Sequence, residues 1–180
     1  RLVGYVMQDM PILPSLTVKS ITAYRDLDAE FARASDGTPF DIFSTQDTYD
    51  QWQVSQEIQA QGTGFGGRLD YVAGFFYFKE EAFNAATVQI PVAPLTPQFI
   101  GGATDNDNWA VFGEGTYDLT SRLHLTGGLR YTEETKRFDP VSQSNADSDN
   151  PILNVTPGQR SLDFEELTWR ASLAYDLTPQ

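Results

Sequence analysis

Leu123-His124-Leu125-Thr126-Gly127-Gly128-Leu129-Arg130-Tyr131-Thr132 is the stretch on which the fold turns. Successive side chains of an extended chain point to opposite faces, so Leu123, Leu125, Gly127, Leu129 and Tyr131 share one side while His124, Thr126, Gly128, Arg130 and Thr132 share the other. One face is apolar and the other is wet. Alternation of this kind continues to Arg137, and such a period of two marks a strand rather than a helix.

The same arrangement recurs along the chain. Leu167, Trp169, Ala171, Leu173 and Tyr175 oppose Thr168, Arg170, Ser172, Ala174 and Asp176. Trp52, Val54, Ile58 and Ala60 oppose Gln53, Ser55, Glu57, Gln59 and Gln61, with Gln56 as a polar intruder on the apolar side. Three further segments are less regular. Leu16 to Ala34 carries Ile21, Ala23, Leu27, Ala29 and Phe31 on one face but Leu16, Val18 and Tyr24 on the other, as a bulge or a change of environment would give. Leu69 to Phe78 is apolar on both faces, and Trp109 to Tyr117 mixes Val111 and Tyr117 with Ala110, Phe112, Glu114 and Thr116 opposite. The expected strands lie near 16–34, 48–61, 68–80, 109–118, 122–137 and 163–177, about six in all.

The connections alternate in length. Gly62 to Gly67 and Leu119 to Arg122 form tight turns, whereas Ser35 to Asp47, Glu81 to Asn108 and Asp139 to Ser161 are long and rich in Asp, Asn, Pro and Gly. Short turns at one end and long loops at the other match the periplasmic and extracellular ends of an outer-membrane barrel. A short repeat supports this: Tyr117-Asp118-Leu119-Thr120 returns as Tyr175-Asp176-Leu177-Thr178, each at a strand end at the same rim. Thr178 to Gln180 then start another turn. The pattern predicts an all-β fold, an antiparallel transmembrane β-barrel segment. Six strands cannot close a membrane barrel, which takes about eight or more, so the remaining strands come from outside the segment.

Composition narrows the function. The formal net charge of −13 argues against nucleic acid as a partner, because neutralising phosphates takes clustered Lys and Arg. Cysteine is absent, which excludes disulfides and thiolate metal sites in this chain. The longest apolar run, Tyr71 to Phe78, falls short of the roughly 18 to 20 residues of a membrane helix. A barrel strand needs only about 9 to 11 residues, apolar on one face, so a mean hydropathy of −0.37 is compatible with a membrane wall. Arg130 and Arg170 both fall on the wet faces of their strands, sparing the roughly 2 to 4 kcal/mol that a basic residue facing lipid at the midplane costs. The chain starts at Arg1 with neither initiator Met nor signal peptide, as expected of a mature or trimmed piece of something longer.

A family likeness now rests on five stretches in order: Ser20-Ile21-Thr22-Ala23-Tyr24-Arg25, Val54-Ser55-Gln56-Glu57-Ile58, Tyr71-Val72-Ala73-Gly74-Phe75-Phe76-Tyr77, Ala110-Val111-Phe112-Gly113-Glu114 with Tyr117-Asp118-Leu119-Thr120, and Leu125-Thr126-Gly127-Gly128-Leu129-Arg130-Tyr131-Thr132. Together they resemble the barrel portion of TonB-dependent outer-membrane receptors across residues 16 to 178. The resemblance implies a barrel of about 22 strands filled by an N-terminal plug domain. It implies transport at the bacterial outer membrane: uptake of a scarce nutrient such as a ferric siderophore, haem, cobalamin or an oligosaccharide, driven through the TonB complex. Its expected partners are outer-membrane lipid, the plug and the remaining strands of the same protein. Neither a plug domain nor a TonB box is expected within these residues. The alternatives are a passive outer-membrane porin, which has no plug, and a soluble β-rich ligand-binding protein.

Candidate chemistry is sparse, and no catalytic, cofactor-binding or metal residue is assigned. Gly62, Gly64 and Gly67 match the letter of a dinucleotide fingerprint. That motif must open a helix, whereas Arg68-Leu69-Asp70-Tyr71-Val72 continues as a strand, so a hairpin turn is expected. Asp105-Asn106-Asp107-Asn108 and Asn145 to Asn150 offer dense oxygens but lack the Gly and terminal Glu of a calcium loop, and solvated extracellular loops are expected there. His124, the single histidine, is expected on the inner wall near the periplasmic rim, without the nucleophile and orienting group that an enzyme requires. Glu57, Glu114, Arg130, Glu134 and Arg170 are expected to line the lumen, pairing with one another or with the plug. Tyr49, Phe83, Phe99 and Trp109 are candidates for substrate contact from the long loops.

Overall fold

The protein is described by a computed structural model in residues 2–34, 37, 39, 42–90, 98–144 and 158–177. Seven strands follow one another: β1 (Leu2–Leu13), β2 (Leu16–Ala34), β3 (Ser44–Gly64), β4 (Leu69–Gln89), β5 (Gln98–Thr120), β6 (Leu123–Ser144) and β7 (Arg160–Tyr175). They form one sheet in chain order, each strand antiparallel to the next.

Pairing fixes which residues share a face. Leu129 opposes Gly113 and Trp169, and Leu125 opposes Tyr117 and Leu173. Continuing across the sheet, Phe75 opposes Val111 and Ile58 opposes Phe75, so these belong to the Leu129 face. The opposite face carries Arg130, Phe112, Gly74 and Gln59. Along β6, Leu125, Gly127 and Leu129 are exposed while Thr126, Gly128 and Arg130 are half-buried. A curved sheet spreads side chains on its convex side and crowds them on its concave side, so the Leu129 face is the outer one.

The described residues form no second layer. Among the described residues only Ala85 and Ala110 are buried apolar side chains, whereas Leu129 is 59% and Trp169 75% exposed. A soluble domain of this length buries most of its large apolar side chains, so the soluble β-rich alternative does not fit a single layer with its largest apolar residues turned outward.

Three short turns connect the strands at one end. Pro14 and Ser15 join β1 to β2, Phe65 to Arg68 join β3 to β4, and Ser121 and Arg122 join β5 to β6. The wide turn takes left-handed backbone at Phe65, Gly66 and Gly67, with φ of 52°, 70° and 86°, which glycine accommodates without steric cost. Of the three glycines that mimic a nucleotide fingerprint only Gly67 takes this conformation, and β4 follows at once. Gly62 serves differently: its missing Cβ lets the Ser15 carbonyl close on β3 and accept from Thr63 N at 3.0 Å.

The turns are staggered. Leu16 pairs with Gly62, and β3 runs two residues further, to Gly64, before turning. Gly64 pairs with Leu69, Leu69 with Tyr117 and Tyr117 with Leu125, and β6 begins two residues beyond that row, at Leu123. Each hairpin thus steps by two residues in one direction, which is the shear that strand tilt in a barrel requires.

The structure corrects two expectations. The described residues form seven strands rather than about six, β1 being the addition. The long loops are also shorter than expected, because Ser44–Asp47, Glu81–Gln89, Gln98–Asn108 and Asp139–Ser144 all continue strands. Their polar side chains resemble loop composition, but the backbone ladder needs no apolar side chain to form. The stretches Asn145 to Asn150 and Thr178 to Gln180 lie outside the described residues.

Candidate functional site

The outer face is organised by a spacing. Leu16, Leu69 and Leu123 each open the strand that follows a short turn, and Tyr24, Tyr77 and Tyr131 each stand eight residues further along the same face. Two residues beyond each tyrosine the same face turns charged, at Asp26, Lys79 and Glu133. The hydroxyls donate across that boundary: Tyr24 to Asp26 at 3.4 Å, Tyr77 to Asp107 at 3.4 Å and Tyr131 to Glu133 at 2.7 Å. Trp52 and Trp109 join the line, their indole N–H groups donating to Glu81 and Glu133 at 3.2 and 3.1 Å. Sequence analysis missed this repeat, although the recurrence of Leu, Tyr and a charge at one spacing could have revealed it.

Between the turns and the tyrosine line the outer face is apolar, with Ile58, Phe75, Val111, Leu125, Leu129, Leu167, Trp169 and Leu173 all exposed. Gln56, the polar intruder, is satisfied locally, accepting from Thr22 Oγ1 at 2.5 Å and donating to Ser20 Oγ at 3.0 Å. Above the line lies an ionic collar. Lys79 meets Glu81 at 3.0 Å and Asp105 at 3.9 Å, and Arg137 meets Asp105 at 3.1 Å and Asp107 at 3.8 Å. The hydrogen bond to Glu81, with the nearby Asp107 and Asp105 charges, outweighs desolvation and holds Lys79 above its ordinary 10.5. A raised ammonium keeps its pairs below that value and loses them only above it, so the collar stays intact at physiological pH.

The residues Asp105 to Asn108 lie within β5 rather than in a loop. Asp105 and Asp107 point to the outer face while Asn106 and Asn108 point inward, so the four side chains do not converge on one ion. The Oδ1 atoms of Asn106 and Asn108 are buried without a partner.

Glu57, Glu114, Arg130, Glu134 and Arg170 all fall on the inner face by register. Arg170 meets Glu114 at 3.3 Å, and Arg130 lies 5.7 Å from the ring centres of both Phe76 and Phe112. Glu57 accepts from Gln59, and Glu134 pairs with Lys136 at 3.2 Å. The aromatic candidates separate. Tyr49 is on the inner face, stacked on Phe31 at 5.5 Å, whereas Phe83 and Phe99 stack at 6.4 Å on the outer face and Trp109 stands in the tyrosine line. All four lie in strands rather than in loops: Tyr49 and Trp109 stand at the ends of the strands expected there, and Phe83 and Phe99 are reached because β4 and β5 extend past the expected loop boundaries.

At the turn end the Tyr-Asp-Leu-Thr repeat has a shared target. Asp118 and Asp176 both face inward onto His124, at 2.5 Å from Nδ1 and 3.2 Å from Nε2. A catalytic histidine would offer its second nitrogen to a nucleophile; here that nitrogen faces a second carboxylate. Outside the same corner, Arg68 donates to the Asp118 and Leu119 carbonyls at 2.8 and 3.0 Å while lying 5.1 Å over the Tyr117 ring.

A single-layer antiparallel sheet, apolar outside, polar and charged inside apart from a patch around Phe76 and Phe112, and sheared hairpin by hairpin, is a segment of a membrane-type barrel wall. The family model described as TonB dependent receptor-like, beta-barrel matches residues 9–180, and the chain belongs to that family. Barrels of this family stand in the outer membrane of Gram-negative bacteria. Among solved structures, the ferric yersiniabactin uptake receptor FyuA from Yersinia pestis aligns over 98% of this chain with a TM-score of 0.80 and 16% identity. This chain spans 26% of that receptor's length, and at such low identity the likeness is one of fold. No curated protein matches the sequence.

Proposed function

We propose that these strands form part of the wall of a plugged outer-membrane receptor that imports a scarce nutrient such as a ferric siderophore, with the Leu129 face against acyl chains and the Arg130 face toward a plug domain. The tyrosine line carries the membrane reading. Eight residues of strand span about 27 Å, or about 20 Å in height at a tilt near 40°, close to the apolar band of about 25 Å on such barrels. Tyrosine is favoured at that boundary because its ring is apolar and its hydroxyl is wet.

The inner face favours a plugged receptor over a passive porin. Val72, Phe76, Phe78 and Phe112 form an apolar aromatic patch there, whereas an open channel presents polar side chains to its water. Something apolar must cover that patch, and a plug of the same protein would do so. The name of the similar receptor from Yersinia pestis supports a ferric siderophore as the cargo class. Energy would come from the TonB complex acting on the plug.

The test is a deletion of the full-length gene in its host, grown in iron-limited medium on a panel of ferric siderophores. Loss of growth on one siderophore, restored by the gene but not in a strain lacking TonB, supports the reading. Growth that is independent of TonB would favour the porin.

A further inference from the structure

We infer that the inner wall is divided lengthwise, with β3 lining a water-filled path beside the plug while the middle of β4, with Ala110 and Phe112 of β5, forms the dry seat on which the plug packs. The inference rests on the plugged-receptor reading above and adds to it where the open passage runs.

The contrast lies between adjacent strands on one face. Successive inward positions of β3 are Gln51, Gln53, Ser55, Glu57, Gln59 and Gln61, every one polar. The inward positions facing them are Val72, Gly74, Phe76 and Phe78 on β4, followed by Glu80 and Ala82, and β5 adds Ala110 and Phe112 between Asn106 and Asn108 on one side and Glu114 on the other. The six β3 positions cover about 33 Å of strand, roughly 25 Å in height at a tilt near 40°, so the polar track runs the depth of the wall.

The track is also linked along its length. Gln61 donates to Gln59 at 3.1 Å, and Gln59 donates to Glu57. Further up, Arg25 donates to Gln51 at 2.6 Å, and Gln51 donates to Glu80. Each amide carries two donors and a two-lone-pair acceptor, so these bonds leave capacity unused on every Gln. Burying such groups under an apolar surface leaves them unpaired at about 1 to 3 kcal/mol each. Water, or a passing solute rich in hydroxyl, amide or carbonyl groups, satisfies them.

The aromatic side has the opposite need. Arg130 lies over Phe76 and Phe112, and Gly74 has no side chain, so the Phe112 ring can lie against the β4 backbone. The result is an apolar surface bordered by Arg130 and Glu114. Such a surface gains about 25 cal/mol for each Å² that a partner removes from water, and an apolar plug side chain can rest on its centre while Glu114, Asn106 and Asn108 at its margins take water or polar plug groups.

The test uses the full-length receptor in intact cells, with single cysteines introduced by Gln53→Cys, Ser55→Cys and Gln59→Cys on β3, and Val72→Cys, Phe78→Cys and Phe112→Cys on β4 and β5. The parent protein gives the labelling blank, and heat-modifiable mobility in gels checks that each variant folds. The probe is a small, charged, membrane-impermeant methanethiosulfonate. The β3 positions are expected to label about tenfold faster than the others, since thiol reactivity follows access to water. Slow labelling at both sets, or faster labelling at β4 and β5, overturns the divided wall while leaving a plug in place. Fast labelling at both sets overturns the plugged-receptor reading itself.

Discussion

His124 holds Asp118 at 2.5 Å through Nδ1, and its other nitrogen reaches Asp176 at 3.2 Å, so one imidazole ties together β5, β6 and the residue after β7. The Asp176 N–H donates to the Arg122 carbonyl at 2.9 Å in the same corner. His124→Leu would leave two inward carboxylates facing each other without a donor. Amide exchange at Asp176 and Leu123 is expected to speed up, while exchange near Trp109 and Glu133 at the other end stays as it was. Hydrogen exchange read by mass spectrometry on the full-length protein checks this, and a uniform change along β6 would contradict a local clasp.

An outward arginine and an inward one should differ sharply. Leu129→Arg places a cation on the apolar outer band and is expected to cost about 2 kcal/mol or more. Ser172→Arg, on the inner face of β7, is expected to cost less than about 0.5 kcal/mol. Denaturant unfolding from lipid vesicles, followed by tryptophan fluorescence, measures both; equal costs would reverse the assignment of the faces.

Glycines divide in the same way. A Cβ on Gly74 would meet Cζ of Phe112 at 2.6 Å and the Ile58 carbonyl at 2.7 Å, whereas one on Gly127 would meet nothing within 4 Å. Because the Ile58 carbonyl belongs to the sheet and cannot yield, Gly74→Ala is expected to destabilise by about 1 to 3 kcal/mol. Gly127→Ala should be close to neutral. The same unfolding assay separates them.

Arg130 lies 5.7 Å from both Phe76 and Phe112. A cation over a ring contributes about 0.5 to 1 kcal/mol at a partly exposed site. In a double-mutant cycle of Arg130→Met with Phe112→Leu, a coupling of about 0.5 kcal/mol or more is expected. Additive losses would mean that the ring and the guanidinium merely lie close.

Much of the wall is legible in the sequence where one face is apolar and the other polar, as at Leu123 to Tyr131 and Leu167 to Tyr175. The facing of Leu16 to Ala34 was ambiguous because Ile21, Ala23 and Leu27 face inward while Val18 and Tyr24 face outward, so both sides carry apolar residues. Where both faces are wet, as at Asp105 to Asn108, the backbone ladder alone makes the strand and leaves no side-chain signature. β1 was missed for a related reason: Val3, Tyr5 and Met7 face one way and Val6 and Met10 the other, with Pro11 inside the strand. The pairing of His124 with two aspartates could not be read from spacing, because Asp118 and Asp176 are 58 residues apart (176 − 118) and meet only through β6.

The regular step of the hairpins has a further meaning. Tyr24, Tyr77 and Tyr131 stand at the same distance from their turns, yet Tyr24 pairs with Val54, Tyr77 with Trp109 and Tyr131 with Val111, so the tyrosine line, the proposed waterline, cuts obliquely across the hydrogen-bonded rows. If one hairpin slid by a single repeat of two residues, Asp26, Lys79 or Glu133 would drop below that waterline and a tyrosine would sink into oil. With acyl chains against that face, as proposed, the surrounding solvent would proofread the alignment of the strands, rejecting slips that the ladder of backbone bonds would accept.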